Sequence, residues 1–202
     1  MTFQSAYGHF RTITKHRHKV IEHCFKAGIP VQGLLHDLSK YSPTEFLMGA
    51  EYYLGTRCPN ESEREAKGYS DAWIHHKGRN CHHFEHWTDY DPKTKQIVPV
   101  RMPVRYVIEM FCDRVAASKI YMGENYTDRS PLEYFEKAKG HRVIHPQTSA
   151  LLEKLLTMLA ENGEEKTFAY IRRKMKKQSA QLHAQIAKKF GFTTCPVHKK
   201  SD

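Results

Sequence analysis

Residues 33–46 read Gly33-Leu34-Leu35-His36-Asp37-Leu38-Ser39-Lys40-Tyr41-Ser42-Pro43-Thr44-Glu45-Phe46. The stretch holds two signals side by side. Ser42-Pro43-Thr44-Glu45 has the form of a helix start, with Ser42 as cap, Pro43 in the first helical position and Glu45 reaching back. It predicts a helix running to about Leu54. Ahead of it, a His-Asp doublet is set in an apolar helical turn within a short helix over residues 31–39. An unpaired carboxylate in such surroundings is costly and calls for a cation or a hydrogen-bond donor. A metal would serve both side chains, as would a plain buried His-Asp hydrogen bond or a helix-end cap.

Outward from this stretch the chain reads as helical almost throughout. Ile13, Val20, Ile21, Cys24 and Phe25 mark an amphipathic helix that stops at Gly28-Ile29-Pro30. Further helices are expected over residues 61–76 and 103–121, and a second start signal, Ser130-Pro131-Leu132-Glu133, opens another through Lys139. Two more, over 147–161 and 164–189, are separated by Asn162-Gly163, a typical stop. Residues 88–102, with Ile97-Val98-Pro99-Val100 after Asp, Pro and Lys, suggest a long loop or a short hairpin. The expected fold is all-α: a helical domain over 1–145 and a helical extension over 146–202, packed on it and ending in a basic tail.

Composition narrows the class. The 202 residues are 40% hydrophobic and 27% charged, values of a globular chain. No apolar run approaches the roughly 18 residues of a membrane span, and Met1 to Phe10 lack a signal-peptide pattern. Five cysteines (Cys24, Cys58, Cys81, Cys112, Cys195) form no CxxC pair; free thiols in a reducing cytoplasm are expected. Fourteen histidines are the unusual feature, five of them between His75 and His86. Clustered imidazoles point toward a transition metal.

That second cluster is His75-His76, a short turn, then His82-His83-Phe84-Glu85-His86-Trp87. The turn lets the chain fold back and converge several imidazoles. Adjacent helical residues sit about 100° apart, so each pair is expected to divide its duties between metal and a neighbouring group. Asp71, four residues before His75, is placed to orient it. Asp113 shares a stripe with Met110, Ala116, Ala117 and Ile120; it either faces the core and needs a partner from elsewhere, or pairs with Arg114 or Arg105 at the surface. Of His16, His18 and His23, none centres on the apolar stripe of the first helix, and at least two are expected at the surface.

The order His, His-Asp, His, Asp resembles the HD superfamily of helical metal-dependent phosphohydrolases, with His36-Asp37-Leu38-Ser39-Lys40 similar to its HDxxK form. Over about residues 10–139, GLLHDLSKYSPTEF, AWIHHKGRNCHHFEHW and EMFCDRVAASKIY resemble an uncharacterised bacterial and phage family with an HHxxxNxHHxEYW-like block. The resemblance implies an HD-like helical bundle. It selects His16, followed by Val20, as first ligand, His36 and Asp37 as the doublet, and Asp113 as the closing aspartate. The block matches at His75, His76, Asn80, His82, His83, Glu85 and Trp87, with His86 where an aromatic is expected. No Gly-Tyr-Pro triplet is present, unlike the cyclic-dinucleotide hydrolases of the superfamily.

The implied metal ligands are therefore His16, His36, Asp37, His75, His76, His82, His83 and Asp113, holding one or two divalent ions. Imidazole with carboxylate suits Fe, Mn or Zn. Lys40 is expected either to neutralise a phosphate oxygen or to pair with Glu45, and Glu85 to act as a base or anchor. The expected reaction is hydrolysis of a small anionic phosphoester or nucleotide; an HD-type di-iron oxygenase would use a similar ligand set. A third reading comes from residues 164–202, which carry ten Lys/Arg against three acidic residues. There Phe168, Ile171, Met175, Leu182 and Ile186 form a docking stripe and Arg172, Arg173, Lys174, Lys176 and Lys177 an outward basic face, suited to nucleic acid or another polyanion without catalysis. Cys195 and His198 lack the second half of a zinc finger.

Overall fold

The computed structural model describes residues 1–137 and 139–190. Helix α1 (Phe3–Ala27) starts at Thr2, whose side chain accepts from the Ser5 amide while Ser5 Oγ accepts from the Thr2 amide, and stops at Gly28. There φ is 82°, a left-handed turn that glycine adopts without a Cβ penalty, and the Gly28 and Ile29 amides close onto the Phe25 and Cys24 carbonyls. Its buried face runs His9, Ile13, His16, Val20, His23 and Ala27, an alternation of three- and four-residue steps that keeps one side of the helix inward. The histidines complete this stripe. Only His18 of the three weighed from sequence is exposed; His23 is fully buried, its ring against Phe168 and its Nδ1 3.3 Å from the Cys112 carbonyl.

Helix α6 (Val104–Met122) lies against α1 and is buried nearly all round through Val107, Ile108, Met110, Phe111, Cys112, Val115 and Ala116. Around this pair stand α2 (Pro30–Leu35), α3 (Pro43–Glu51), α4 (Pro59–Lys67), α5 (Asp71–Arg79), α7 (Ser130–Lys137) and α8 (Pro146–Phe190). The expected helix over 61–76 is two helices, because Gly68 takes φ 81° and caps α4 before Ser70 starts α5 through its bond from the Trp73 amide. Residues 88–102 hold the hairpin, β1 (Thr88–Asp91) antiparallel to β2 (Gln96–Pro99), with Thr88 opposite Pro99. The fold is thus all-α with one small hairpin, and no helix among the described residues is long and apolar enough to cross a membrane.

Helix α8 bends at Gly163 (φ 77°), where sequence placed the stop. Leu152, Leu155, Leu156 and Leu159 before the bend, and Phe168 and Ile171 after it, join one continuous core with Val20, Phe111 and Phe135. The docking stripe ends with the partly buried Met175: Leu182 is 55% exposed. Arg172, Arg173, Lys174, Lys176 and Lys177 are exposed. The Ile186 side chain and residues 191–202, with Cys195 and His198, lie outside the described residues.

Because Phe111 and Leu156 are both fully buried in that one core, Phe111→Ala and Leu156→Ala should each cost about 2–5 kcal/mol. Chemical denaturation should show both losses in the same cooperative transition; a Leu156→Ala variant that melts α8 alone would show that the extension folds separately.

Candidate metal centre

The site starts where α2 fails. Only six residues long, it ends at Leu35; His36 leaves the helix at ψ 129° and Asp37 sits at φ 55°, ψ 23°. The doublet is therefore not within a helix, as its apolar setting suggests, but on the sharp turn between α2 and a 3-10 turn over Leu38–Tyr41. Left-handed backbone is uncommon outside glycine, and aspartate tolerates it better than most residues. Arg17 on α1 pins the turn by donating to the carbonyls of Leu34 and His36. The result turns both side chains inward: each residue is 1% exposed.

Asp37 divides its two oxygens between two groups of ligands. Around Oδ2 stand His36 Nε2 at 3.2 Å and His16 Nε2 at 3.8 Å. Asp113 Oδ1, reaching in from α6, lies 2.9 Å from His16 Nε2 and 3.6 Å from His36 Nε2. Around Oδ1 stand His76 Nε2 at 3.2 Å and His82 Nε2 at 3.5 Å, and His83 Nε2 is 2.9 Å from His76 Nε2. Metal–ligand distances of about 2.0–2.2 Å at tetrahedral or octahedral angles put neighbouring donor atoms about 2.9–3.5 Å apart. The two groups, His16–His36–Asp37–Asp113 and Asp37–His76–His82–His83, come close to that spacing and can each hold a metal ion.

The donor atoms fit such an occupant. His16 Nε2, His36 Nε2, His82 Nε2 and both Asp37 oxygens are buried without a hydrogen-bond partner of adequate geometry, a costly arrangement for a polypeptide alone. Electrostatics agree for the carboxylates and for three of the rings. Burial works against charge on Asp37, yet His36, Lys40 and His76 overcome it and hold the carboxyl well below its ordinary range. Asp113 is held down in the same way by His16 and His36. Burial pushes the His16, His82 and His83 imidazoles down, toward the neutral form that ligates, whereas Asp37 above all outweighs burial at His36 and His76 and holds those two rings up.

A second layer orients the imidazoles. Glu109 Oε1 accepts from His36 Nδ1 at 3.0 Å and lies 3.3 Å from His82 Nδ1. Glu45 Oε2 accepts from His76 Nδ1 at 2.7 Å. With the proton on Nδ1, each ring aims a bare Nε2 lone pair at the centre. Glu45 and Glu109 are the members of this candidate site that sequence reading missed. Glu109 precedes Asp113 by four residues, so the two share a face of α6, and a glutamate on a buried stripe is itself a signal. Glu45 does not reach back to a cap, and Ser42 makes no side-chain capping bond; the carboxylate is buried against His75 and His76 instead.

His75 is the ligand candidate that the geometry sets aside. Its Nδ1 is 2.6 Å from Glu45 Oε1, and among the described residues no metal-capable group includes it. The helical turn between His75 and His76 sends one ring to each oxygen of Glu45. Asp71 pairs with Lys67 rather than orienting His75. Lys40 does not pair with Glu45; its Nζ lies 2.7 Å from Asp37 Oδ2. His86 turns away, its Nδ1 3.2 Å from the Lys77 carbonyl. Lys40, Glu85, His16, His76, His83 and Asp113 all line one cleft of about 800 Å³, within the range of small-molecule sites.

Residues 5–158 match a family of unknown function, DUF5662, and the chain belongs to it. The matched region contains both ligand groups and both orienting glutamates. No curated protein and no solved structure matches the chain.

The shared carboxylate gives a ranked expectation for metal content, measured by elemental analysis after dialysis. Asp37→Ala should empty both positions, and His76→Ala one of them, whereas His75→Ala and His18→Ala should retain wild-type content. Glu45→Ala and Glu109→Ala should weaken affinity about 10–100-fold. Metal loss on His75→Ala equal to that on His76→Ala would refute the assignment within the pair.

Proposed function

We propose that this protein is an HD-type metal-dependent phosphohydrolase with a binuclear centre, acting on a small phosphoester. The observation that carries the reading is the Asp37 carboxylate shared between two His/Asp groups, at the edge of a cleft that also presents Lys40, Arg64, Arg114 and Arg142. The order His16, His36-Asp37, His76, Asp113 is the order of the HD resemblance. Imidazole-plus-carboxylate donors favour Fe, Mn or Zn over an all-oxygen Mg site. Divalent ions, when bound, supply Lewis acidity that activates water and offsets charge on a phosphoryl group.

The protein's own groups would do the rest. His16, His36, His76, His82 and His83 fix the donor set, with Glu45 and Glu109 holding three of the rings in the ligating tautomer. The Lys40 ammonium, on the cleft wall against Asp37, is placed to neutralise a substrate oxygen. Glu85, on the 3-10 turn Phe84–His86, lines the cleft with a buried Oε2 that has no partner. It is positioned to accept a hydrogen bond from water or a substrate hydroxyl. Arg64, Arg114 and Arg142, which form no ion pair among the described residues, would draw an anionic substrate in past Glu61 and Glu85.

Loaded in turn with Mn, Fe and Zn and offered a panel of phosphoesters, the protein should release inorganic phosphate with at least one metal. Asp113→Asn should lower that rate about 100-fold or more, the scale on which charge-stabilising groups act, while the fold is retained. Oxygen consumption by the iron-loaded protein without phosphate release would favour the di-iron oxygenase. Absence of both activities, with metal fully bound, would contradict an enzymatic role.

A further inference from the structure

Asp113 delivers a carboxylate to the centre, and the next residue on α6, Arg114, lines the same cleft. Its Nε is buried and has no hydrogen-bond partner. Other cations of the domain are paired, Arg57 with Glu65, Lys67 with Glu63 and Asp71, Arg129 with Glu133. Arg114, partly buried, forms no ion pair among the described residues. Arg142 lines the cleft beside it, following the turn Lys139–His141. Its guanidinium lies 5.1 Å from the Phe135 ring centroid and donates to the Phe135 carbonyl at 3.2 Å, so it is held in place by α7 but meets no carboxylate.

Two arginines thus converge in a partly desolvated wall without a counter-ion. Burial, then the charge of Arg142, lowers the Arg114 pKa. Glu85 acts on both through space but pairs with neither, and Asp113 is engaged with His16 and His36. Like charges on a partly buried wall repel each other unless an anion joins them. Guanidinium groups bind phosphate and carboxylate through paired N–H bonds. The cleft, at about 800 Å³, has room for far more than one phosphate.

We propose that Arg114 and Arg142 form a second oxyanion subsite, so that the substrate is a small molecule carrying one anionic group at the metal centre and another beyond it. This deepens the phosphohydrolase reading and rests on it for the first group. A simple monoester would leave the arginines unpaired; a bisphosphate or a phosphorylated carboxylic acid would complete them.

The test uses metal-loaded full-length protein and non-hydrolysable probes in calorimetry: butylphosphonate with one anionic group, and α,ω-alkane bisphosphonates and phosphonoalkanoates of graded length with two. At least one two-anion probe should bind about tenfold or more tightly than butylphosphonate, the worth of one charge-assisted contact of roughly 1.4 kcal/mol. Arg114→Gln should reduce that preference to about twofold or less with metal content retained, and Arg142→Gln, which sits in a turn rather than in α6, should do the same. Equal affinity for one- and two-anion probes overturns the proposal, as does a preference that survives both substitutions. Phosphate release from the matching esters is followed in parallel. Release without two-anion preference would defeat the subsite and leave the hydrolase standing; an arginine-dependent preference without release would do the reverse.

Discussion

The carboxylate of Asp37 is the constraint around which the rest of the structure is arranged. It is buried, it sits on left-handed backbone, and neither oxygen has a hydrogen-bond partner of adequate geometry. Backbone of this kind costs of order 1–3 kcal/mol and persists only where its surroundings enforce it. Here α1 enforces it through Arg17, and α1, α5 and α6 bring His16, His76 and Asp113 against its two oxygens. Each of these donors comes from a different helix. The bundle and the site are therefore one problem: the packing of α1 on α6 that fills the core also sets the distance between His16 and Asp113.

The second layer shows how few positions achieve this. On α6, Glu109 and Asp113 lie one turn apart; the first reaches the Nδ1 atoms of His36 and His82, the second the Nε2 atoms of His16 and His36. One face of one helix thereby supplies both an orienting carboxylate and a ligand. On α3, Glu45 does for His76 what Glu109 does for His36. Arg114, one residue further along α6, turns from the ligands into the cleft. Three polar positions within six residues are thus placed for orientation, for ligation and, in the proposed subsite, for substrate recognition.

Much of this was legible in the sequence because it depends on local rules. The stop at Gly28, the bend at Gly163, the hairpin over 88–102 and the span of α6 follow from φ freedom, turn composition and periodicity. The His-Asp doublet and the paired histidines were visible as dense ligand chemistry, and the HD resemblance selected His16 over His18 and His23. What escaped depends on tertiary contact. Ser42 and Glu45 satisfy the capping pattern, yet two imidazoles from α5 offer Glu45 stronger partners than a backbone amide. The apolar neighbours of Asp37 suggest a helix, though Leu34, Leu35 and Leu38 are exposed. His23 does not centre on the apolar stripe in sequence, yet with His9 it completes the buried face of α1, and burial pushes the pKa of both rings down to about 4.

In the proposed centre Asp37 joins two metal positions. Anomalous diffraction from crystals grown with manganese or iron tests it directly, since it locates ions without reference to activity. Two peaks should flank the Asp37 carboxylate, one bounded by His16, His36 and Asp113 and the other by His76, His82 and His83. Crystals soaked in metal that show no peak at Asp37, or a peak held by other residues, would contradict the account.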